Sequence, residues 1–411
     1  MSQIKDIKSR EIIDSRGVPT LETIVMLDDG VNGIASIPSG ASTGIHEAVE
    51  LRDKDPKRFH GKGVLHAVRN VENIISKLLK GKEVSDQVGI DRLMIDLDGT
   101  KNKSKLGANA ILSVSLAVCR AAAKSEKIDL FRYLSNISGC GIDLTRHPAP
   151  QFNVINGGLH GTGNLSIQEF IIIVKNTSSY SESLELGVAF YQDLKKLLKD
   201  RSLITSVGDE GGFTPQFQGD REALEILTFL IQSNGLYRQH IHLGLDLAAS
   251  VYYRNGQYLI NGKYYSSDEY LVYLLDLLHK YQLISMEDLF PEDNWAQWSA
   301  FMKKIDSNVQ VVGDDLLVTN RERLVKAIKE KACNSILIKL NQIGSLSETL
   351  DVIKLAQKNN IKTIISHRSG ETNDSFIADL AVAVNADMVK FGAPTRGERV
   401  AKYNRLLEIY Q

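Results

Sequence analysis

Six charged or titratable residues each end an apolar run in the C-terminal half of this 411-residue chain. They are Asp246, Glu287, Asp314, Lys339, His367 and Lys390. The steps between them are 41, 27, 25, 28 and 23 residues, close to the length of a strand–helix unit. In a parallel α/β barrel the carboxyl ends of the strands meet at one face, where active sites form. The spacing therefore predicts one mouth that holds three carboxylates, two lysines and a histidine.

The three carboxylates of this series, Asp246, Glu287 and Asp314, are expected on successive strands, only a few ångströms apart. Carboxylates that close repel one another unless a cation lies among them. A ligand set of oxygen atoms alone favours a hard divalent ion, Mg²⁺ first and Mn²⁺ second. Each acid taken alone could instead cap a helix, but three in the same position on successive strands favour a metal site.

The two lysines, Lys339 and Lys390, end apolar runs and so are not ordinary surface charges. Near a second ammonium and a metal ion, the pKa of a lysine falls, and the lysine can act as a general base. The alternative is a structural ion pair with a barrel carboxylate. A base that faces a substrate carboxylate could remove the proton from the next carbon, while an opposite acid protonates a leaving hydroxyl. The pattern thus predicts metal-assisted β-elimination of water.

Further candidates lie outside the regular series. Glu169 in IQEF and Glu210 in GDEGG could share a proton and supply the general acid, although GDEGG could also be a plain turn. In ISHRSGET, Arg368 and Ser369 follow a strand and could cradle a phosphate, a weak signal when taken alone. His160 lies in a glycine-rich loop, where a histidine is more often inert than catalytic.

The N-terminal third indicates a small α+β domain, because strands come first and helices follow. Alternating residues within the first 30 positions predict two antiparallel strands, with a turn at Gly17-Val18-Pro19. Residues 37–44 form a Gly/Ser/Thr-rich loop. Amphipathic or apolar periodicity predicts helices within 63–81, 86–99 and 105–127.

Two prolines in residues 145–150 are typical of a domain junction. We place an N-terminal α+β capping domain at 1–137 and an eight-stranded α/β barrel at 138–411. Early in the barrel domain the sequence predicts a strand in PQFNVINGG, a strand at 168–174, a helix at 181–199 and a strand or strand-like run at 205–213. The periodicity alone predicts an all-parallel barrel.

The composition excludes several classes of function. A net charge of −1 and the lack of a basic tract with aromatics argue against a nucleic-acid partner. The three cysteines form no CxxC pair, so neither a disulfide framework nor a zinc site is expected. No signal peptide and no apolar run of about 18 residues is found, so no membrane association is expected and a cytoplasmic location follows by default.

Ordered motifs over nearly the whole chain resemble the enolase family, the glycolytic dehydratases of 2-phosphoglycerate. The resemblance begins at REIIDSRG and continues through PSGASTG, ELRD, GKGV, MIDLDGT, NKSKLGANAILSVSLA, NGG before His160, IQEF, GDEGG, SMED, GDDL, NQIGSL and SHRSGETND. It implies a small α+β domain and a barrel in which one early strand is antiparallel. It also implies a homodimer, sometimes an octamer, that converts 2-phosphoglycerate and phosphoenolpyruvate reversibly in glycolysis and gluconeogenesis.

The resemblance implies two Mg²⁺ per active site, with Asp246, Glu287 and Asp314 on the first and Ser42 on the second. It makes Lys339 the base for the C2 proton and Glu210, helped by Glu169, the acid for the C3 hydroxyl. His367 lies beside the leaving group, and Lys390 meets the substrate carboxylate. The substrate contacts that it implies are His160, Gln168, Glu169, Arg368, Ser369 and Lys390.

The chain departs from the family pattern at Leu159, Phe391 and Gly397, and it ends at Gln411 without the usual extended tail. None of these departures removes a catalytic group, but Phe391 adjoins one and could alter turnover or substrate fit. Two alternatives remain open. One is a related dehydratase of another phosphorylated or sugar acid, and the other is a weakened paralogue that acts as a binding protein. The filled catalytic positions favour an active enolase.

Overall fold

The computed structural model describes residues 2–40, 44–161 and 164–411, and of residue 160 only the backbone. The N-terminal part begins with an antiparallel sheet of strands β1 (Ile4–Ile13), β2 (Pro19–Leu27) and β3 (Asn32–Ser36). The predicted hairpin is confirmed, since β1 and β2 pair in register across the turn. Ser42 lies outside the described residues.

The helices of this part lie where the periodicity predicts them, except the helix at Leu130–Ser138, which was not predicted from the sequence. They are α1 (Leu65–Asn70), α2 (Ser76–Leu79), α3 (Gln87–Asp98), α4 (Ala108–Ser125) and α5 (Leu130–Ser138). A π-helical turn, Val71–Ile75, joins α1 to α2. Helix α4 packs on β2 and β3 and is buried over almost its whole length, because its many alanines allow close approach on several faces.

The C-terminal part contains a closed eight-stranded barrel in the order β4-β5-β6-β10-β11-β12-β13-β14. The strands are β4 (Ala149–Asn156), β5 (Glu169–Val174), β6 (Ile241–Asp246), β7 (Tyr253–Arg254), β8 (Gln257–Ile260), β9 (Lys263–Tyr265), β10 (Ser285–Glu287), β11 (Gln310–Gly313), β12 (Ser335–Ile338), β13 (Lys362–Ser366) and β14 (Met388–Lys390). Strands β7 to β9 form a separate small sheet inserted after β6. This insertion accounts for the long step of 41 residues between Asp246 and Glu287.

Helices surround the barrel. They are α6 (Tyr180–Asp200), α7 (Asp220–Ser233), α8 (Gly235–His240), α9 (Ser267–Lys280), α10 (Trp295–Met302), α11 (Arg321–Glu330), α12 (Leu340–Ile343), α13 (Leu346–Lys358), α14 (Phe376–Ala383) and α15 (Gly397–Tyr410). Strand β5 runs antiparallel to both β4 and β6, while the other neighbours run parallel. The all-parallel prediction is therefore wrong, and the antiparallel strand implied by the family resemblance is confirmed.

Residues 205–213 form a turn with isolated bridges and no continuous strand. Val207 and Phe213 bridge to each other, and Phe213 also bridges to Ile155 of β4. The run folds back on itself because the Gly208 N–H donates to the Gly212 carbonyl over 2.9 Å. The predicted strand is thus reduced to single bridges, and Glu210 lies at the tip of this turn.

The barrel interior is closed by a layer of apolar side chains from alternate strand positions. These residues are Ile171, Ile173, Val312, Leu337, Ile364 and Met388. Side chains two positions apart on a strand point to the same side. Asp314, Lys339 and Lys390 each lie two residues beyond a member of this layer, so they also point into the barrel. The apolar layer forms the floor, and the polar groups form the mouth above it.

The N-terminal part is fixed to the loop that follows β13. Ser39 and Gly370 exchange two backbone hydrogen bonds of 2.8 and 3.0 Å. A Cβ on Gly370 would lie 2.2 Å from Asp14 Oδ2, so only glycine permits this approach. Arg120 of α4 also pairs with Asp374 over 2.6 Å. The domain boundary between residues 137 and 138 stays a prediction. In the described part of the chain, no helix is long and apolar enough to cross a membrane.

Candidate active site

Three carboxylates lie in register at the mouth of the barrel. Glu169 is the backbone partner of Asp246, and Asp246 is the partner of Glu287. Because β5 is antiparallel, its first residue lies at the same end as the last residues of β6 and β10. Lys390 Nζ lies among these carboxylates. It is 3.0 Å from Glu169 Oε2, 3.3 Å from Asp246 Oδ2 and 2.8 Å from Glu287 Oε1. Lys390 therefore joins three strand ends.

Burial and neighbouring carboxylates set the charges in this group. Burial raises the pKa of Glu169, and the nearby Glu210 carboxylate raises it further. Burial also raises the pKa of Glu287, as does Asp246. Burial alone would lower the pKa of Lys390, but the surrounding carboxylates raise it well above its usual value. Lys390 is therefore a permanent cation at the centre of this group.

The second lysine, Lys339, lies directly after β12 and pairs with Asp314. Burial alone would lower the pKa of Lys339, but the Asp314 charge outweighs it and raises that pKa. Burial likewise opposes the charged form of Asp314, but Lys339 holds the pKa of Asp314 below its usual value. The pKa lowering expected for Lys339 is thus not found among the protein groups, because the ion pair dominates. The lysine remains protonated as long as Asp314 is its partner.

Two further carboxylates beside Asp314 were not singled out from the sequence. Asp288 accepts backbone N–H bonds from Asp314 (3.0 Å) and Asp315 (2.8 Å). Oxygen atoms of Asp288, Asp314 and Asp315 lie within 4.8 Å of one another. Burial and Asp314 raise the pKa of Asp315 to about 7. The ED and DD doublets in SMED and GDDL were the available signal, since each places a second acid directly after a strand-end acid.

Glu210 and His367 face each other between β4 and the loop that follows β13. The Glu210 carboxylate accepts a 2.9 Å bond from Asn153 of β4, and its Oε2 lies 3.6 Å from His367 Nε2. Arg399 donates to His367 Nδ1 over 2.7 Å. Because a guanidinium only donates, Nδ1 is the acceptor and the ring proton is on Nε2, towards Glu210. Burial lowers the pKa of His367 to about 3, so the ring is neutral at physiological pH.

The turn that carries Glu210 is held against the end of β14. The Ala393 N–H donates to the Glu210 carbonyl over 2.9 Å. Gly392 has φ +89°, and a Cβ there would lie 2.8 Å from the Glu210 carbonyl oxygen and 3.0 Å from His367 Cε1. A glycine at this position therefore lets Glu210 and His367 lie side by side.

Arg368, the predicted phosphate contact, is buried and already paired with Glu47. Its guanidinium lies 3.0 Å from Glu47 Oε2 and 3.2 Å from Glu47 Oε1, and it also donates to Asn341 Oδ1 over 2.8 Å. Ser369 follows on the same loop, and both residues line a cavity at the mouth of the barrel. No sequence signal singled out Glu47, because it pairs with a residue 321 positions away.

Of the remaining predicted residues, Gln168 donates to Asp246 Oδ2 over 3.4 Å. The Gln168 Oε1 is buried and has no hydrogen-bond partner among the residues that the structure describes. The backbone of His160 lies in a short 3₁₀ turn beside Leu159, a residue that is 62% exposed.

Phe391, a departure from the family pattern, is fully buried and points away from the mouth. Its ring packs on Tyr403 with 5.6 Å between the ring centroids.

Most of these residues line one cavity at the mouth of the barrel. Its carboxylates are Glu47, Glu169, Glu210, Asp246, Asp288, Asp314 and Asp315, and its basic side chains besides His367 are Lys339, Arg368 and Lys390. Acids thus outnumber cations, and apart from His367 the donor atoms are oxygens. Such a set fits a hard divalent ion, which would offset the excess negative charge. The residues present therefore fit the Mg²⁺ chemistry that the sequence predicts.

The order of the strands places the candidate base and the candidate acids on opposite sides of the barrel. Lys339 follows β12, and Glu169 begins β5, four strands away in a ring of eight. These positions are on opposite walls of the barrel, and both line the cavity. A small molecule held between them would meet an amine on one face and paired carboxyl groups on the other. This arrangement suits removal of a proton from one carbon and a hydroxyl from the next.

The fold thus combines a barrel with one antiparallel strand, an acidic mouth at the strand ends and an α+β N-terminal part. The sequence matches two family models: the enolase N-terminal domain over residues 4–134, and the enolase C-terminal TIM barrel domain over residues 145–411. Together they cover nearly the whole chain, so the chain belongs to the enolase family.

Proposed function

We propose that the chain is a phosphopyruvate hydratase, which converts 2-phosphoglycerate reversibly into phosphoenolpyruvate and water in cytoplasmic glycolysis and gluconeogenesis. The observation that carries this proposal is the opposition of Lys339 and the Glu169–Glu210 pair across one cavity. Elimination of water needs a base and an acid on opposite faces of two neighbouring carbons. A homodimer or octamer stays a prediction from the family resemblance.

The metal role is proposed for the residues predicted from the sequence. Asp246, Glu287 and Asp314 would hold the first Mg²⁺, and Ser42 would contribute to the second. The ions would supply positive charge to stabilise the carboxylate dianion that develops when the C2 proton is lost. Lys390 lies among the carboxylates of the mouth and binds the substrate carboxylate with its ammonium.

The protein groups divide the reaction between them. Lys339 accepts the C2 proton, which requires its neutral form, and therefore a weaker hold by Asp314 than in the protein alone. Glu210 donates a proton to the departing C3 hydroxyl. Glu169 assists, because the raised pKa of this buried carboxyl favours a proton shared within the pair. The neutral His367 donates its Nε2–H towards the same place.

The phosphate contacts are proposed on the loop after β13 and on the loop before β5. Arg368 and Ser369 bind the phosphate, with His160 and Gln168 as further substrate contacts. Gln168 has a buried acceptor oxygen without a protein partner, which suits a ligand hydroxyl or a water molecule. The test is to compare 2-phosphoglycerate with 3-phosphoglycerate, glycerate and acidic sugars as substrates. Turnover of 2-phosphoglycerate alone supports the proposal, whereas preference for another acid supports the related-dehydratase alternative.

The Arg368–Glu47 pair makes a specific prediction about phosphate affinity. Phosphate must compete with the Glu47 carboxylate for the same guanidinium. Glu47→Gln is therefore expected to strengthen inhibition by inorganic phosphate about threefold to tenfold, measured as the inhibition constant at fixed Mg²⁺. The matched control is Glu11→Gln, because Glu11 also pairs with an arginine, Arg58, over 2.6 Å, and neither residue lines the cavity. Equal or weaker inhibition in Glu47→Gln would show that Arg368 does not bind phosphate in this way.

A further inference from the structure

Asp220, the first residue of α7, is a fully buried carboxylate whose two oxygens have different surroundings. Its Oδ1 accepts backbone N–H bonds from Ser166 (2.9 Å) and Ile167 (3.1 Å). Its Oδ2 is buried and makes no hydrogen bond of normal geometry within the described ranges, although the Asn261 side chain lies close enough to stabilise the charge. Burying a carboxylate costs free energy unless it is hydrogen-bonded. The two bonds from Ser166 and Ile167 offset this cost and fix the backbone of these residues.

The segment that Asp220 holds leads directly into the candidate site. Ser166 and Ile167 are followed by Gln168 and Glu169, which both line the cavity. Beyond Asp220, the Gln168 N–H donates to the Asp246 carbonyl over 3.1 Å. Asp220 thus fixes one end of a short stretch whose other end is joined to the barrel. The side chains that face the leaving group lie at this second end.

The other contacts around Asp220 also hold the segment of Ser166 and Ile167 in place, and they do not form a ligand site. The Asn261 N–H donates to Ser166 Oγ over 2.9 Å, on the exposed side of the same segment. The positive end of the helix dipole lies at the start of a helix and stabilises a negative charge there. Asp220, the first residue of α7, occupies this position. Burial raises the pKa of Asp220 to about 6, so the carboxylate is ionised at neutral pH and the two N–H bonds are charge-assisted.

We propose that Asp220 is a positioning residue for the acid half of the reaction. It holds the backbone of Ser166 and Ile167 so that Gln168 and Glu169 face the departing hydroxyl. The inference rests on the proposed function and adds that Asp220 serves the dehydration step and not the removal of the C2 proton. Lys339 lies on the opposite wall, so loss of Asp220 should impair dehydration and leave C2 proton removal almost intact.

The test measures two rates on the full-length protein with Mg²⁺ and 2-phosphoglycerate. One is exchange of the C2 proton with solvent deuterium, and the other is formation of phosphoenolpyruvate. Asp220→Ala is expected to lower dehydration about tenfold or more, because small displacements of positioned groups are costly, with exchange within about twofold of wild type. Asp220→Asn should restore dehydration to within about threefold, since its carbonyl can accept both N–H bonds.

The matched control is Asp53→Ala. Asp53 also accepts two successive N–H bonds, from Leu65 (2.9 Å) and His66 (2.7 Å), but it does not line the cavity. This variant should lower the melting temperature and leave the ratio of the two rates unchanged. If Asp220→Ala does not fold, Asp220→Glu, which keeps the charge but displaces the acceptor, should show the same selective loss.

Three outcomes overturn the positioning role. They are equal loss of both rates in Asp220→Ala, no loss in either rate, and failure of Asp220→Asn to restore dehydration. A wild-type protein that catalyses neither exchange nor dehydration gives a different result, because it overturns the proposed function and this inference together.

Discussion

Lys339→Ala is expected to abolish exchange of the substrate C2 proton with solvent. Lys339 is the cavity lysine on the wall opposite Glu169 and Glu210, whereas Lys390 is held by three carboxylates. Removal of a positioned general base typically costs about 10² to 10⁴ in rate, and no other amine lies on this wall among the described cavity residues. The measurement is deuterium incorporation at C2 by NMR, with Mg²⁺ present.

The control for Lys339→Ala is Lys103→Ala. Lys103 is also a buried, paired lysine, 3.0 Å from Glu348, but it lies outside the cavity. This variant should lose stability and keep exchange. If Lys339→Ala exchanged the C2 proton at the wild-type rate, the assignment of the base would be wrong and Lys339 would be only the partner of Asp314.

Glu210→Gln is expected to give the opposite result, in which exchange continues and dehydration fails. Glutamine can still accept the bond from Asn153, so the turn should keep its shape, but it has no carboxyl proton to donate. Formation of phosphoenolpyruvate should fall by about 10² or more, while C2 exchange stays within about threefold of wild type. The same NMR experiment reports both quantities.

The neighbouring Asp209 offers a matched control for Glu210. It lies in the same turn but is exposed, so Asp209→Asn changes one charge in the turn without changing the cavity. Near wild-type dehydration is expected. Parallel loss of exchange and dehydration in Glu210→Gln would show that Glu210 supports the architecture of the site and is not its acid.

The strand ends were predictable because buried strands appear in the sequence as apolar runs. A polar residue that ends such a run lies where the strand leaves the core and meets solvent. Asp246, Glu287 and Lys390 accordingly end their strands, and Asp314, Lys339 and His367 follow theirs by one residue. The period of the strand–helix unit then places all six at one face. Local pattern and simple topology were sufficient for this part of the site.

The position of Glu169 was not accessible to that reasoning. Periodicity predicted parallel strands, in which the first residue of a strand lies at the wrong end. The reversal of β5 brings Glu169 into register with Asp246, and only the family resemblance indicated this reversal. Glu210 likewise sits on a glycine-rich turn whose own pattern was equally typical of a plain loop.

Pairings between distant segments were also beyond the sequence. Nothing local indicates that Glu47 meets Arg368, or that Asp220 holds the residues before Glu169. An ion pair of Lys339 with some barrel carboxylate was foreseen only as an alternative to a lowered pKa, and Asp314 was not named as the partner. These contacts depend on how loops of different strands meet, which hydrophobic periodicity does not describe.

In the proposed function, the mouth of the barrel eliminates water from 2-phosphoglycerate with the help of Mg²⁺. The most direct measurement is the ultraviolet absorbance of phosphoenolpyruvate after 2-phosphoglycerate is added to the purified full-length protein. We predict product formation with Mg²⁺, loss of activity after chelation and recovery when Mg²⁺ is restored. Absence of product at every Mg²⁺ concentration, from correctly folded protein, would contradict the account.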